Sequence, residues 1–160
     1  MDNLSIINSF PKDFIFGTAT SSYQIEGSTY GNCGRSHWDS FAKKPNKTYR
    51  SQDGGVACAH YLKWDEDLDL VKNCGFSAYR FSFSWPRVLP EGKGLINNEG
   101  LSFYDKLLDG MLERELKPFG TLYHWDLPIN FAEKGGWANR DTPKYFADYS
   151  EVIMKNYGDR

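Results

Sequence analysis

The order in which the apolar period changes along the chain restricts it to very few folds. A short apolar run, Phe14-Ile15-Phe16, ends at Gly17-Thr18 and reads as a buried strand. Ala57, Tyr61, Trp64, Leu68 and Val71 then recur at helical spacing, a stripe stopped by Gly75. The period changes to two over Phe76–Trp85, where Tyr79, Phe81, Phe83 and Trp85 alternate with Ala78, Arg80, Ser82 and Ser84 until Pro86 ends the strand. A second helix is expected from about Glu99 to Leu116, and a third strand over Lys117–Tyr123. The last helix opens at Thr142-Pro143 and carries Phe146, Tyr149, Ile153 and Tyr157 on one face. Strands separated by helical crossovers run parallel, so the fold class is α/β. Residues 27–55, 88–98 and 124–141 are punctuated by Gly and Pro and read as loops. A polar extension over 1–9 precedes a single domain over 10–160.

Composition excludes several classes of function. With 19 Lys+Arg against 21 Asp+Glu, the net charge of −2 gives no cationic surplus to neutralise phosphates, so no nucleic-acid partner is expected. No run approaches the length of a membrane span, and Met1–Asn8 lacks the basic and apolar parts of a secretory signal. Cys33, Cys58 and Cys74 are too few and too scattered for a disulfide framework, which points to a reducing, cytoplasmic setting. The Asn46-Lys47-Thr48 sequon has no support from that setting.

Cofactor motifs fail one by one. Asp65, Asp67 and Asp69 have the spacing of a calcium loop, but Leu70 and Phe76 stand where Gly and Glu are needed. They read instead as a solvated helix face. His37, His60 and His124 are too far apart to pair as zinc ligands, Gly92-Lys93-Gly94 is no phosphate loop, and no Gly-x-Ser-x-Gly occurs. No cofactor and no metal are expected. His-Trp-Asp appears at 37–39 and again at 124–126, but the flanks differ, which argues against a repeat.

Five blocks carry a resemblance. They are Phe14–Ser28, Tyr79-Arg80-Phe81-Ser82-Phe83-Ser84-Trp85-Pro86-Arg87, Thr121-Leu122-Tyr123-His124-Trp125-Asp126-Leu127-Pro128, Gly135-Gly136-Trp137 and Gly158-Asp159-Arg160. In this order they closely resemble glycoside hydrolase family 1, the retaining β-glucosidases, in the version found in cytosolic bacterial enzymes. The resemblance implies the first three βα units of a TIM (β/α)8 barrel, and a β-glucoside or related carbohydrate as ligand. It also implies that Gln24, His124 and Trp125 line the glycone subsite and that Arg80 supports the nucleophilic carboxylate.

The residues fit those roles on their own chemistry. Gln24, His124 and Trp125 follow strands, where α/β barrels build their sites. A carboxamide can hold neighbouring sugar hydroxyls, and an imidazole beside an indole offers a hydrogen bond and a stacking face. Arg80 sits on an otherwise aromatic strand and calls for a carboxylate, with Glu26 or Asp126 as candidates for a structural pair. Trp38 and Trp85 are assigned to packing. Ile129, Glu115 and Ala59 depart from the family pattern, and if the Glu115 position, where relatives carry Gly, needs positive φ, Glu there is strained by roughly 1 kcal/mol.

Both catalytic carboxylates of the family are missing. Retaining hydrolysis uses two carboxyl groups about 5–5.5 Å apart, and the Asn-Glu-Pro that carries the acid/base in this family does not occur. Asn98-Glu99 runs into Gly100 at a helix start and is no substitute. A whole barrel takes about 250 residues, so the chain of 160 is expected to be an incomplete barrel, inactive in isolation and poorly soluble. Half of a split enzyme that needs a second chain, and a non-catalytic sugar-binding module, are the competing expectations.

Overall fold

The computed structural model describes residues 10–160, so the expected extension over 1–9 lies outside the described residues. Strands β1 (Gly17–Ala19), β2 (Ala78–Ser82) and β3 (Lys117–Thr121) form one parallel sheet in the order β1-β2-β3. Arg80 stands opposite both Ala19 and Phe119 in this register. Side chains alternate across a strand, so Ala19, Arg80, Ser82, Phe119 and Thr121 share one face, and Tyr79 and Phe81 point to the other.

The second face is covered by helices α3 (His60–Asn73), α5 (Asn98–Glu113) and α7 (Thr142–Tyr157). Leu68, Tyr79, Phe81, Trp85, Tyr104, Met111, Tyr149 and Ile153 form the buried core there. Burying an aromatic ring of this size contributes more than 1.5 kcal/mol relative to exposure, which makes the rings the main source of cohesion. Trp85 is fully buried, stacks on Tyr149 at 5.1 Å, and donates from Nε1 to the Gly92 carbonyl at 2.8 Å. Trp38 is half-buried against His37, Tyr23 and Phe41. On the face of β2 that carries Arg80, that residue is open to solvent, while Ser22 of a helical turn closes over Ser82 at the carboxyl end. No helix among the described residues is long and apolar enough to cross a membrane.

Several expectations need correction. Phe14, Ile15 and Phe16 are not a buried strand: they are 48%, 41% and 41% exposed, and the sheet begins at Gly17. β1 has a neighbour on one side only, so the run packs on Phe10 and on itself instead of inside the sheet. The second strand stops at Ser82, and Trp85-Pro86 opens the helical turn α4 (Trp85–Val88), in which proline occupies a first-turn position that needs no N–H. Helix α3 begins at His60 because Ala57 and Ala59 both take positive φ. The expected loop over 27–55 contains α2 (His37–Ala42), preceded by the turn α1 (Ser22–Ile25). Ser36 and Asp39 make a capping box at its start, a Ser-x-x-Asp signal visible in the sequence. The loop over 124–141 likewise contains α6 (Ile129–Ala132).

The acidic stripe on α3 is also more than a solvated face. Arg114 pairs with Asp65 at 2.6 Å and Asp69 at 2.7 Å, fastening α3 to the end of α5, and Asp67 holds His60 Nδ1 at 2.6 Å.

Glu115 does adopt a positive φ of 54°, and its only ion pair among the described residues is a 3.7 Å contact with Lys72 that is open to solvent. Glu115→Gly is therefore expected to raise the unfolding free energy by about 0.5–1 kcal/mol, since glycine loses more backbone entropy but escapes the left-handed penalty. Urea denaturation measures this directly, and a loss of stability would refute the strain.

Candidate glycone site at the carboxyl ends of the strands

The carboxyl ends of β1, β2 and β3 are tied together by a chain of buried polar groups. The Ser22 amide donates to Ser82 Oγ at 2.8 Å, Ser82 Oγ donates to Ser22 Oγ at 3.1 Å, and Ser22 Oγ donates to Asp126 Oδ2 at 2.9 Å. One residue from the exit of each strand is thus joined in a single run of hydrogen bonds whose last acceptor is a carboxylate. Each bond in such a run polarises the next. Asp126 is 1% exposed, and its Oδ1 has no hydrogen-bond partner among the described residues. Burial pushes its carboxyl up from the usual 3.8 to about 6, against the pull of the Ser84 and Ser22 hydroxyls. Beside it lies a pocket of about 10 Å³ lined by Ser22, Glu26, Cys33, Ser36, Ser84 and Asp126, room for one water.

A second buried network lies alongside. Arg87 donates from Nε to Glu26 at 2.7 Å and from its terminal nitrogens to the Tyr30 and Gly27 carbonyls at 2.8 and 3.0 Å. Burial pulls the Arg87 guanidinium down, but the Glu26 carboxylate beside it more than offsets this and holds it above its ordinary value. Tyr104 receives the Ser84 amide at 2.6 Å and gives its hydroxyl proton to Glu26 at 3.0 Å.

The sequence-predicted site residues stand around these networks. Gln24 is exposed on α1, at the rim of a cleft of about 350 Å³ lined also by Tyr23, Trp38, Phe41, Thr48 and Tyr49. Arg80, His124 and Trp125 do not line that cleft. His124 is half-buried and Trp125 is 66% exposed, with their ring centroids 6.0 Å apart. Trp125 has a φ of 69°, a left-handed conformation that costs a bulky residue about 1–2 kcal/mol and recurs at binding sites. Arg80 is exposed on the open face of the sheet, where its Nε donates to Thr121 Oγ1 at 2.9 Å.

The expected carboxylate partner of Arg80 is absent among the described residues, because Glu26 is taken by Arg87 and Asp126 by Ser22. The rule that a cation among apolar residues needs a carboxylate applies to Arg87, inside Trp85-Pro86-Arg87-Val88-Leu89, all of which is buried. That run was the signal for the buried pair. The two His-Trp-Asp tripeptides lie on adjoining segments, with the His37 amide donating to the Leu127 carbonyl at 2.9 Å and Ser36 bridged to Pro128. One opens a helix and the other leaves a strand, so they are not a repeat.

The family model for Glycosyl hydrolase family 1 matches residues 6–160. The chain is 50% identical over 152 residues to the 1,4-beta-D-glucan glucohydrolase of Thermotoga neapolitana, covering 94% of this chain and 36% of that protein. It is 51% identical over 153 residues to a β-glucosidase of Agrobacterium sp., with 94% and 33% covered. The structure superimposes on the β-glucosidase of Thermotoga maritima in complex with castanospermine with a TM-score of 0.91 at 49% identity, covering 94% of this chain and 34% of that one. The chain thus spans about a third of the length of the curated relatives it matches. Family model, sequence identity and barrel geometry agree, and the chain belongs to glycosyl hydrolase family 1.

Proposed function

We propose that these residues form the glycone-binding side of a β-glucosidase that works by retaining double displacement, and that both catalytic carboxylates come from outside residues 1–160. Gln24 and His124 hold sugar hydroxyls, Trp125 offers its exposed ring, and Arg80 supports the nucleophile. The observation that carries this reading is Arg80. It lies on the central strand, on the open face, anchored by Thr121 with no carboxylate beside it among the described residues. Such a position supports a role toward a carboxylate supplied by another part of the barrel. The two buried carboxylates at this end are spoken for, Glu26 by Arg87 and Tyr104 and Asp126 by Ser22, and neither is open to a substrate. The three free cysteines support a reducing, cytoplasmic setting.

The chain alone is accordingly inactive. The test is to express it together with the part of the Thermotoga maritima β-glucosidase that follows the matched third, and to assay aryl-β-glucoside hydrolysis. Turnover is expected in the mixture and in neither part alone. Gln24→Ala in the mixture should lower kcat/KM by about 100-fold, the scale of a lost positioning contact. No turnover at any ratio, with the two parts shown to associate, would refute the assignment.

A further inference from the structure

The geometry points to Asp126 as the positioning residue of this site, a carboxylate that touches no sugar but holds the β1 and β3 loops in the register that presents Gln24, His124 and Trp125 together. The inference rests on the glycone reading above. Three observations carry it.

The first is connectivity. Asp126 Oδ2 is the terminal acceptor for Ser22 Oγ, and Ser22 is bonded through both its amide and its hydroxyl to Ser82. Gln24 lies two residues after Ser22, and Trp125 immediately precedes Asp126. The single 2.9 Å bond therefore joins the two segments that carry the predicted sugar contacts. The second is backbone strain. Trp125 holds a positive φ while its side chain is two-thirds exposed, so its own packing does little to fix that conformation. A left-handed bulky residue persists only where its surroundings over-determine it. On the carboxyl side that constraint comes from Asp126, Leu127 and Pro128, all buried. The third is that a carboxylate only 1% exposed is a poor choice for stability alone. An apolar residue would fill the same space at less cost but could not accept from Ser22, so an acceptor is retained here for what it orients.

The test uses the 160-residue chain labelled for NMR. Residues at positive φ show a strong intraresidue Hα–HN cross-peak, which reports the Trp125 conformation without any ligand. Ser22→Ala and Asp126→Ala remove the bond from opposite ends, so a failure of one variant to fold leaves the other to decide. Tyr79→Phe, which removes the Thr20–Tyr79 bond of 2.6 Å on the helix-covered side, controls for stability loss. Weakening of the Trp125 cross-peak in Ser22→Ala, with no change in Tyr79→Phe, is the expected result. An unchanged Trp125 signature in every folded variant of Ser22 and Asp126 overturns the inference. Castanospermine, which is bound in the Thermotoga maritima complex, is then titrated against Gln24, His124 and Trp125 resonances. Affinity in Ser22→Ala should fall by about tenfold or more. If the unaltered chain shows no saturable shifts, the glycone reading fails for the isolated chain, while the Trp125 signature still decides the role of Asp126.

Discussion

Replacing Arg87 with methionine is expected to lower the unfolding free energy by about 3–5 kcal/mol, the cost of leaving a buried charge without its partner. The Arg87 side chain is 1% exposed and that of Glu26 is 4% exposed. The guanidinium also lies 4.6 Å from the Tyr61 ring centroid and 5.5 Å from that of Phe103. Methionine fills much of the volume but abandons Glu26 and two loop carbonyls, Tyr30 and Gly27, that no water reaches easily. Arg87→Lys should lose nearly as much, since a single ammonium cannot reproduce the planar fork that serves a carboxylate and two carbonyls together. The double variant Arg87→Met/Glu26→Leu should recover most of the loss, because exchanging a whole buried pair for apolar groups is often neutral or better. A thermal scan would see the single variant melt roughly 10 °C lower, at ~2–4 °C per kcal/mol for a chain of this size. Equal losses in single and double variants would show instead that the pair holds the loops by geometry that apolar groups cannot replace.

The same pair shows what the sequence makes legible and what it hides. Period and order are enough for the three parallel strands, their two crossover helices and the helix that follows β3, because amphipathic stripes such as Phe146, Tyr149, Ile153 and Tyr157 depend on local spacing alone. The edge of the sheet was not legible at Phe14–Phe16, where the same apolar run would be buried beside another strand and is exposed without one. Helix α2 is masked by the Gly and Pro that punctuate 27–55, although its Ser36–Asp39 capping box is a local signal. At the site, the positions of Gln24, His124 and Trp125 follow from strand exits, which is a local property. Which carboxylate meets which arginine does not. Arg80 and Arg87 are seven residues apart in similar aromatic surroundings, and only the turn α4 after Ser84 sends one into the core while the strand keeps the other on the open face. The Ser22–Ser82–Asp126 run is likewise invisible in sequence, since it joins positions 60 and 104 residues apart.

Asp126 should impose a pH dependence on stability that its amide variant lacks. Burial raises its carboxyl from the ordinary 3.8 to about 6, so the native state keeps the proton over a range in which the unfolded chain has lost it. Below about pH 4 both states are protonated and the buried group carries no charge penalty. As pH rises toward 6 the unfolded state alone ionises and gains relative to the native state. Above 6 the native carboxylate is charged as well, and the full penalty of about 3 kcal/mol is expressed. Asp126→Asn has no charge to bury and keeps an acceptor for Ser22. Its stability relative to the unaltered chain should accordingly be near zero at pH 4 and rise by about 3 kcal/mol at pH 7.5, with most of the change between pH 4 and 6. Taking the difference between the two proteins cancels the titration of shared groups that do not interact with Asp126. Urea unfolding at the two pH values measures it. A difference that does not change with pH would mean that the folded carboxyl titrates as it does in the open chain, and that water reaches Oδ1. The opposite sign, with the amide less stable at neutral pH, would make the charged carboxylate a net stabiliser of the three strand exits. Gain of stability at neutral pH in Asp126→Asn, together with loss of the Trp125 conformation in Ser22→Ala, is the combination expected of a residue kept for orientation at the expense of stability.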